Sequence, residues 1–108
     1  LVAEKEMIAL GLLDAREVAA QPADAPLYKK YFMHGTSHHL GLDVHDVGLP
    51  GRALEAGMVL TCEPGIYIRE EGIGVRIEND ILVTSGDPLD LTASVPITAD
   101  EIEELMAG

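Results

Sequence analysis

Residues 57–84 read GMVLTCEPGIYIREEGIGVRIENDILVT. Three apolar, partly β-branched runs stand in it: Met58–Cys62, Ile66–Ile68 and Val75–Thr84. Pro64-Gly65 separates the first two, and a turn over Gly72 to Gly74 precedes the third. Short apolar runs bounded by turn residues predict strands, with Ile66–Ile68 returning on the first across Pro64-Gly65. Val75 and Ile77 alternate with Arg76 and Glu78, as in a strand with two distinct faces.

Two carboxylates in this stretch stand out. Glu63 ends a Val-Leu-Thr-Cys run, and Glu78 sits mid-strand between Ile77 and Ile81. Either is costly to bury without a cation or donor partner. The plainer alternative places both on the solvent face of a half-exposed sheet, where charged residues usually lie. Cys62 could be a nucleophile, but inside an apolar strand it reads as a small core residue.

Upstream, residues 34–48 read HGTSHHLGLDVHDVG and carry all four histidines of the chain: His34, His38, His39 and His45. A lone histidine is more often a satisfied polar residue than a ligand, and the clustering shifts that balance toward a metal site. One imidazole with carboxylates suits manganese, cobalt, iron or zinc. Ser37 beside His38 lacks the Gly-x-Ser-x-Gly elbow of a serine hydrolase. Glu71-Gly72-Ile73-Gly74 has neither the glycine spacing nor the lysine of a phosphate loop.

Outward from these motifs the chain is helical. Residues 1–19 carry Leu1, Ile8, Leu12 and Leu13 at roughly helical spacing, interrupted at Gly11, with Asp14 to Glu17 opening a second turn. Residues 21–26, QPADAP, form a loop, and 28–33 are ambiguous between strand and helix. Thr98-Ala99-Asp100-Glu101 has the form of a capped helix start, predicting a C-terminal helix over 98–106. The class expected is α+β with a mainly antiparallel sheet and flanking helices. Nineteen acidic residues against seven basic ones give a net charge of −12, which disfavours nucleic acid. No run approaches the ~20 apolar residues of a membrane span, and no signal peptide is visible, which fits the cytoplasm. One cysteine excludes an intramolecular disulfide.

Taken in order, residues 34–48, 57–68 and 72–84 resemble the aminopeptidase P and prolidase branch of the pita-bread metallopeptidases. Residues 91–106, LTASVPITADEIEELM, are similar to the tail of bacterial Xaa-Pro aminopeptidases. The resemblance implies a metal-dependent exopeptidase that removes the residue preceding proline at a peptide N-terminus. Two divalent ions are implied, manganese foremost, with cobalt, zinc or iron as alternatives. They are held by two aspartates, one histidine and two glutamates, and they activate a shared water. By motif position His38, Glu63 and Glu78 would be metal ligands, and Glu63 would also help carry a proton. His45 would contact the substrate carbonyl, His34 would line the substrate side of the pocket, and Arg76 would support the carboxylate network. Asp43 and Asp46 carry no implied role and read as structural residues.

The aspartate ligands of that pattern belong to an earlier hairpin that nothing before residue 34 resembles. Asp14 and Asp24 fall in a helix and a Pro-flanked loop. The expectation is therefore one partial domain over 1–108, the C-terminal half of the catalytic domain. In it, 34–84 is the motif-bearing sheet region, and Leu1 reads as a cut inside a helix. Its partners would be the missing N-terminal half and an Xaa-Pro peptide, its exposed apolar face would favour homo-oligomers, and alone it would be inactive. The alternatives are a prolidase cleaving Xaa-Pro dipeptides and a non-catalytic module that binds peptides or proteins. A methionine aminopeptidase fits less well, because its histidine motif differs from residues 34–38.

Overall fold

The computed structural model describes residues 1–108, which divide into two compact units. The first comprises Leu1–His34 and Gly65–Val75; the second comprises Gly35–Pro64 and Arg76–Gly108.

In the first unit, the stretch 1–19 forms two helices, α1 (Val2–Ala9) and α2 (Ala15–Ala20). Gly11 separates them in a left-handed conformation, φ +75°. That conformation lets Gly11 N–H donate to Ile8 O at 3.0 Å and Leu12 N–H to Met7 O at 2.9 Å, the paired bonds of a Schellman stop. Asp14 then caps α2, accepting from Arg16 N at 2.7 Å and Glu17 N at 3.2 Å. The ambiguous region after the proline loop is a 3-10 turn over Leu27–Lys30.

Met7, Tyr31 and Phe32 form the core of this unit, flanked by Ala3, Leu12, Leu13, Tyr28, Ile66 and Ile68. Glu4 is buried beside it, and Gln21 Nε2 donates to its carboxylate at 2.6 Å. Strands β2 (Gly65–Ile68) and β3 (Ile73–Arg76) pair as a two-stranded sheet, joined by a 3-10 turn over Arg69–Glu71 and by Gly72 at φ +65°. Tyr67 N–H donates to Tyr31 O at 2.8 Å and fastens β2 to the core segment.

The second unit holds a three-stranded antiparallel sheet of β1 (Val59–Cys62), β4 (Asn79–Leu82) and β5 (Leu89–Asp90), in the order β1-β4-β5. The β1–β4 register pairs Val59 with Leu82, Thr61 with Asp80 and Cys62 with Asn79. Helix α3 (Ala99–Met106) starts at the expected cap: Thr98 Oγ1 donates to Glu101 Oε2 at 2.6 Å and accepts from Glu101 N at 3.3 Å. The Thr98 hydroxyl, and after it the Thr98 backbone N–H, donate to the Glu101 carboxyl and hold it below its ordinary value.

The fold class is the expected α+β, and three local expectations are corrected. The strand Ile66–Ile68 does not return on Met58–Cys62: β1 pairs with β4, and β2 with β3. Pro64, lacking an N–H, sits where the two sheets part. The run Val75–Thr84 is not one strand, because it changes partner across Ile77-Glu78. Val75 on β3 is exposed. Cys62 is exposed rather than a core residue, because Thr61 and Glu63 occupy the inner face of β1 and the pleat turns Cys62 to the other side.

Met7 is 2% exposed and Leu105 is 66% exposed. Met7→Ala is therefore expected to destabilise the chain by about 2–5 kcal/mol. Leu105→Ala should stay within roughly 0.5 kcal/mol. Urea denaturation followed by circular dichroism reads both.

Candidate metal centre

Residues 36–40 lie alongside β1 on a short antiparallel ladder. Leu40 N–H donates to Val59 O at 3.0 Å, Thr61 N–H to His38 O at 3.0 Å, and Glu63 N–H to Thr36 O at 2.8 Å. This register sets His38 next to the inner face of β1, where Thr61 and Glu63 project two residues apart. On the other side of β1, Cys62 pairs with Asn79, so continuing the register one step brings Glu78 beside Glu63. Three stretches distant in sequence thus converge. Ligand atoms of His38, Glu63 and Glu78 all lie within 4.8 Å of one another.

Glu63 is 9% exposed, and every close partner of its carboxylate is polar or cationic. Thr61 Oγ1 donates to Oε1 at 3.1 Å, His38 Nε2 lies 3.1 Å from the same oxygen, and Arg76 Nη1 lies 3.6 Å from Oε2. The arginine contact is an ion pair beyond hydrogen-bond length. His38 Nδ1 faces His39 O at 3.0 Å. A carbonyl only accepts, so Nδ1 carries hydrogen, and Nε2 is the ring atom that faces Glu63 Oε1. With Glu78 adding a second carboxylate, the cluster is a nitrogen–oxygen donor set short of positive charge. That chemistry fits a divalent cation of the manganese-to-zinc range.

The sequence-derived residues divide between the units. His38, His45, Glu63, Arg76 and Glu78 lie in the second, where the His45 ring stands 4.4 Å from that of His38 in an edge contact. His34 lies in the first unit, its Nε2 2.9 Å from Tyr67 Oη and its ring edge-on to Phe32 at 5.0 Å. Asp46 is structural, accepting from Leu42 N at 2.9 Å and Val47 N at 2.8 Å, and Asp43 is exposed. Glu63 is buried, against the solvent-face reading, while Glu78 is exposed. Sequence reasoning missed Thr61 and Tyr67. Thr61 was signalled by period two, since it must share the face of Glu63; for Tyr67 no local pattern points to His34.

The family model of metallopeptidase family M24 matches residues 5–85. The chain belongs to metallopeptidase family M24. It is 50% identical to the Xaa-Pro aminopeptidase of Escherichia coli over 94% of its own length and 25% of that protein's. With the Xaa-Pro aminopeptidase of Haemophilus influenzae the identity is 52%, over 73% of this chain and 21% of the relative. Among solved structures, zinc-substituted E. coli aminopeptidase P in complex with product superposes with a TM-score of 0.76 at 49% identity, covering 94% of this chain and 25% of that one. Proline aminopeptidase P II from Yersinia pestis gives 0.77 at 45% identity, covering 94% and 26%. The M24 chain thus has the pita-bread aminopeptidase P fold and spans about a quarter of the length of these relatives.

A side chain at Gly41 would collide with Asp46 Oδ2, the acceptor that closes the turn before His45. Gly41→Ala is expected to shift the Leu42 and Val47 amide resonances and the His45 ring signals in NMR spectra. Gly86→Ala, where nothing lies within 4 Å, should leave all of them in place.

Proposed function

We propose that this chain carries the histidine–glutamate side of the metal centre of an Xaa-Pro aminopeptidase, one that releases the N-terminal residue of peptides with proline second. The convergence of His38, Glu63 and Glu78 carries the reading. The names of its M24 relatives, Xaa-Pro aminopeptidases rather than dipeptidases, favour longer peptides over the dipeptides of a prolidase. The intact donor set argues against a non-catalytic binding module.

In this reading His38, Glu63 and Glu78 would hold divalent ions, manganese foremost. Bound divalent ions supply water that is acidic enough to react at neutral pH, and they polarise the scissile carbonyl. Glu63 would also help carry a proton. Arg76 fixes the Glu63 carboxylate from its far oxygen, a charge-assisted restraint that costs little reorganisation. His45, against the His38 ring, donates to the substrate carbonyl oxygen as negative charge develops there. His34, paired with Tyr67 Oη at 2.9 Å, is assigned to the substrate side by its motif position alone. Two carboxylates neutralise only half the charge of two divalent ions, so these 108 residues alone bind metal weakly and do not turn over.

Calorimetry with Mn²⁺ on the full chain is expected to show weak uptake of about one ion, abolished by His38→Ala. No Xaa-Pro peptide should be cleaved in the same solution. Binding untouched by His38→Ala would refute the ligand assignment, and hydrolysis by these residues alone would refute their insufficiency.

A further inference from the structure

Thr61 is 2% exposed, yet its hydroxyl faces the most polar cluster of the second unit. It stands between two of the candidate ligands. His38 and Thr61 sit opposite each other on the ladder between residues 36–40 and β1. One bond of their pair is ordinary, Thr61 N–H to His38 O at 3.0 Å. The other is diverted: His38 N–H donates to Thr61 Oγ1 at 3.0 Å, so the side chain stands in for a backbone acceptor. The same oxygen donates its single hydrogen to Glu63 Oε1 at 3.1 Å. A hydroxyl has one donor and two acceptor positions, so donating to Glu63 commits its hydrogen.

We propose that Thr61 is a positioning residue for the metal centre: its hydroxyl couples the backbone of His38 to the carboxylate of Glu63 and sets the spacing of these two ligands. The inference rests on the ligand assignment above and goes beyond it, because Thr61 itself touches neither ion nor substrate. Two features give the hydroxyl its leverage. The carboxylate is buried, so a neutral donor at hydrogen-bond distance counts for more than it would in water. Arg76 is farther away, 3.6 Å from Oε2 and beyond hydrogen-bond length, so the short contacts that orient the carboxylate are those of Thr61 and His38 on Oε1. Losing the hydroxyl leaves His38 N–H without its acceptor and Glu63 Oε1 without its donor, and each must then move to find water. Outer partners of this kind typically change metal affinity by about 10–100-fold.

The test is Mn²⁺ calorimetry on the full chain with Thr61→Val, Thr61→Ser and His38→Ala, alongside amide spectra that report the β1–β4 ladder. Thr61→Val should weaken binding about tenfold or more with the ladder signals retained, and Thr61→Ser should restore it. If Thr61→Val binds as the parent does while His38→Ala abolishes binding, Thr61 has no positioning role and the ligand assignment stands. If Thr61→Ser is as weak as Thr61→Val, or if Thr61→Val does not fold and Thr61→Ser is weak, the methyl group rather than the hydroxyl matters, and the inference fails. If His38→Ala binds normally, the ligand assignment itself falls and takes the inference with it.

Discussion

A carboxylate removed from water needs donors or positive charge at close range, and β1 removes Glu63 from water. In the second unit the buried side chains are Thr61 and Glu63, and no apolar side chain there is buried to the same degree. The sheet therefore folds around a polar cluster rather than an oil-like core. Residues 36–40 bring an imidazole and a hydrogen-bonded backbone, β1 brings the carboxylate and the hydroxyl, and the start of β4 brings Glu78 into register. The first unit is built the usual way, on Met7, Tyr31 and Phe32, with one compensated glutamate at its margin.

The break at Ile77-Glu78 belongs to the same constraint. Changing partner there frees two residues from either ladder, and Glu78 is one of them. A glutamate outside the ladder can turn toward Glu63 without straining strand hydrogen bonds. Arg76, the last residue of β3, is close enough to Glu63 to offset part of the charge that this approach concentrates.

Local signals in the sequence were dependable where one segment decides its own conformation. Gly11 ended a helix, Asp14 began the next, and Thr98 with Glu101 closed a capping box, each because the deciding atoms lie within a few residues. The motifs around His38, Glu63 and Glu78 were legible in order and residue type, and the fold class with them. Strand pairing was not, because the choice of β4 over β2 as the partner of β1 depends on contacts distant in sequence. The face of Cys62 was misjudged for a related reason: an apolar residue flanked by a buried threonine and a buried glutamate is turned outward by the pleat, whatever its hydropathy.

Thr61 and Glu63 make the inner face of β1 polar, and that bears on how a bound cation and this sheet would depend on each other. On the proposed reading, an ion that binds the folded arrangement and not the unfolded chain adds its binding free energy to the stability of the sheet. The hydroxyl of Thr61 and the backbone pairing of residues 36–40 would then do part of that work in advance, holding His38 near Glu63 before a cation arrives.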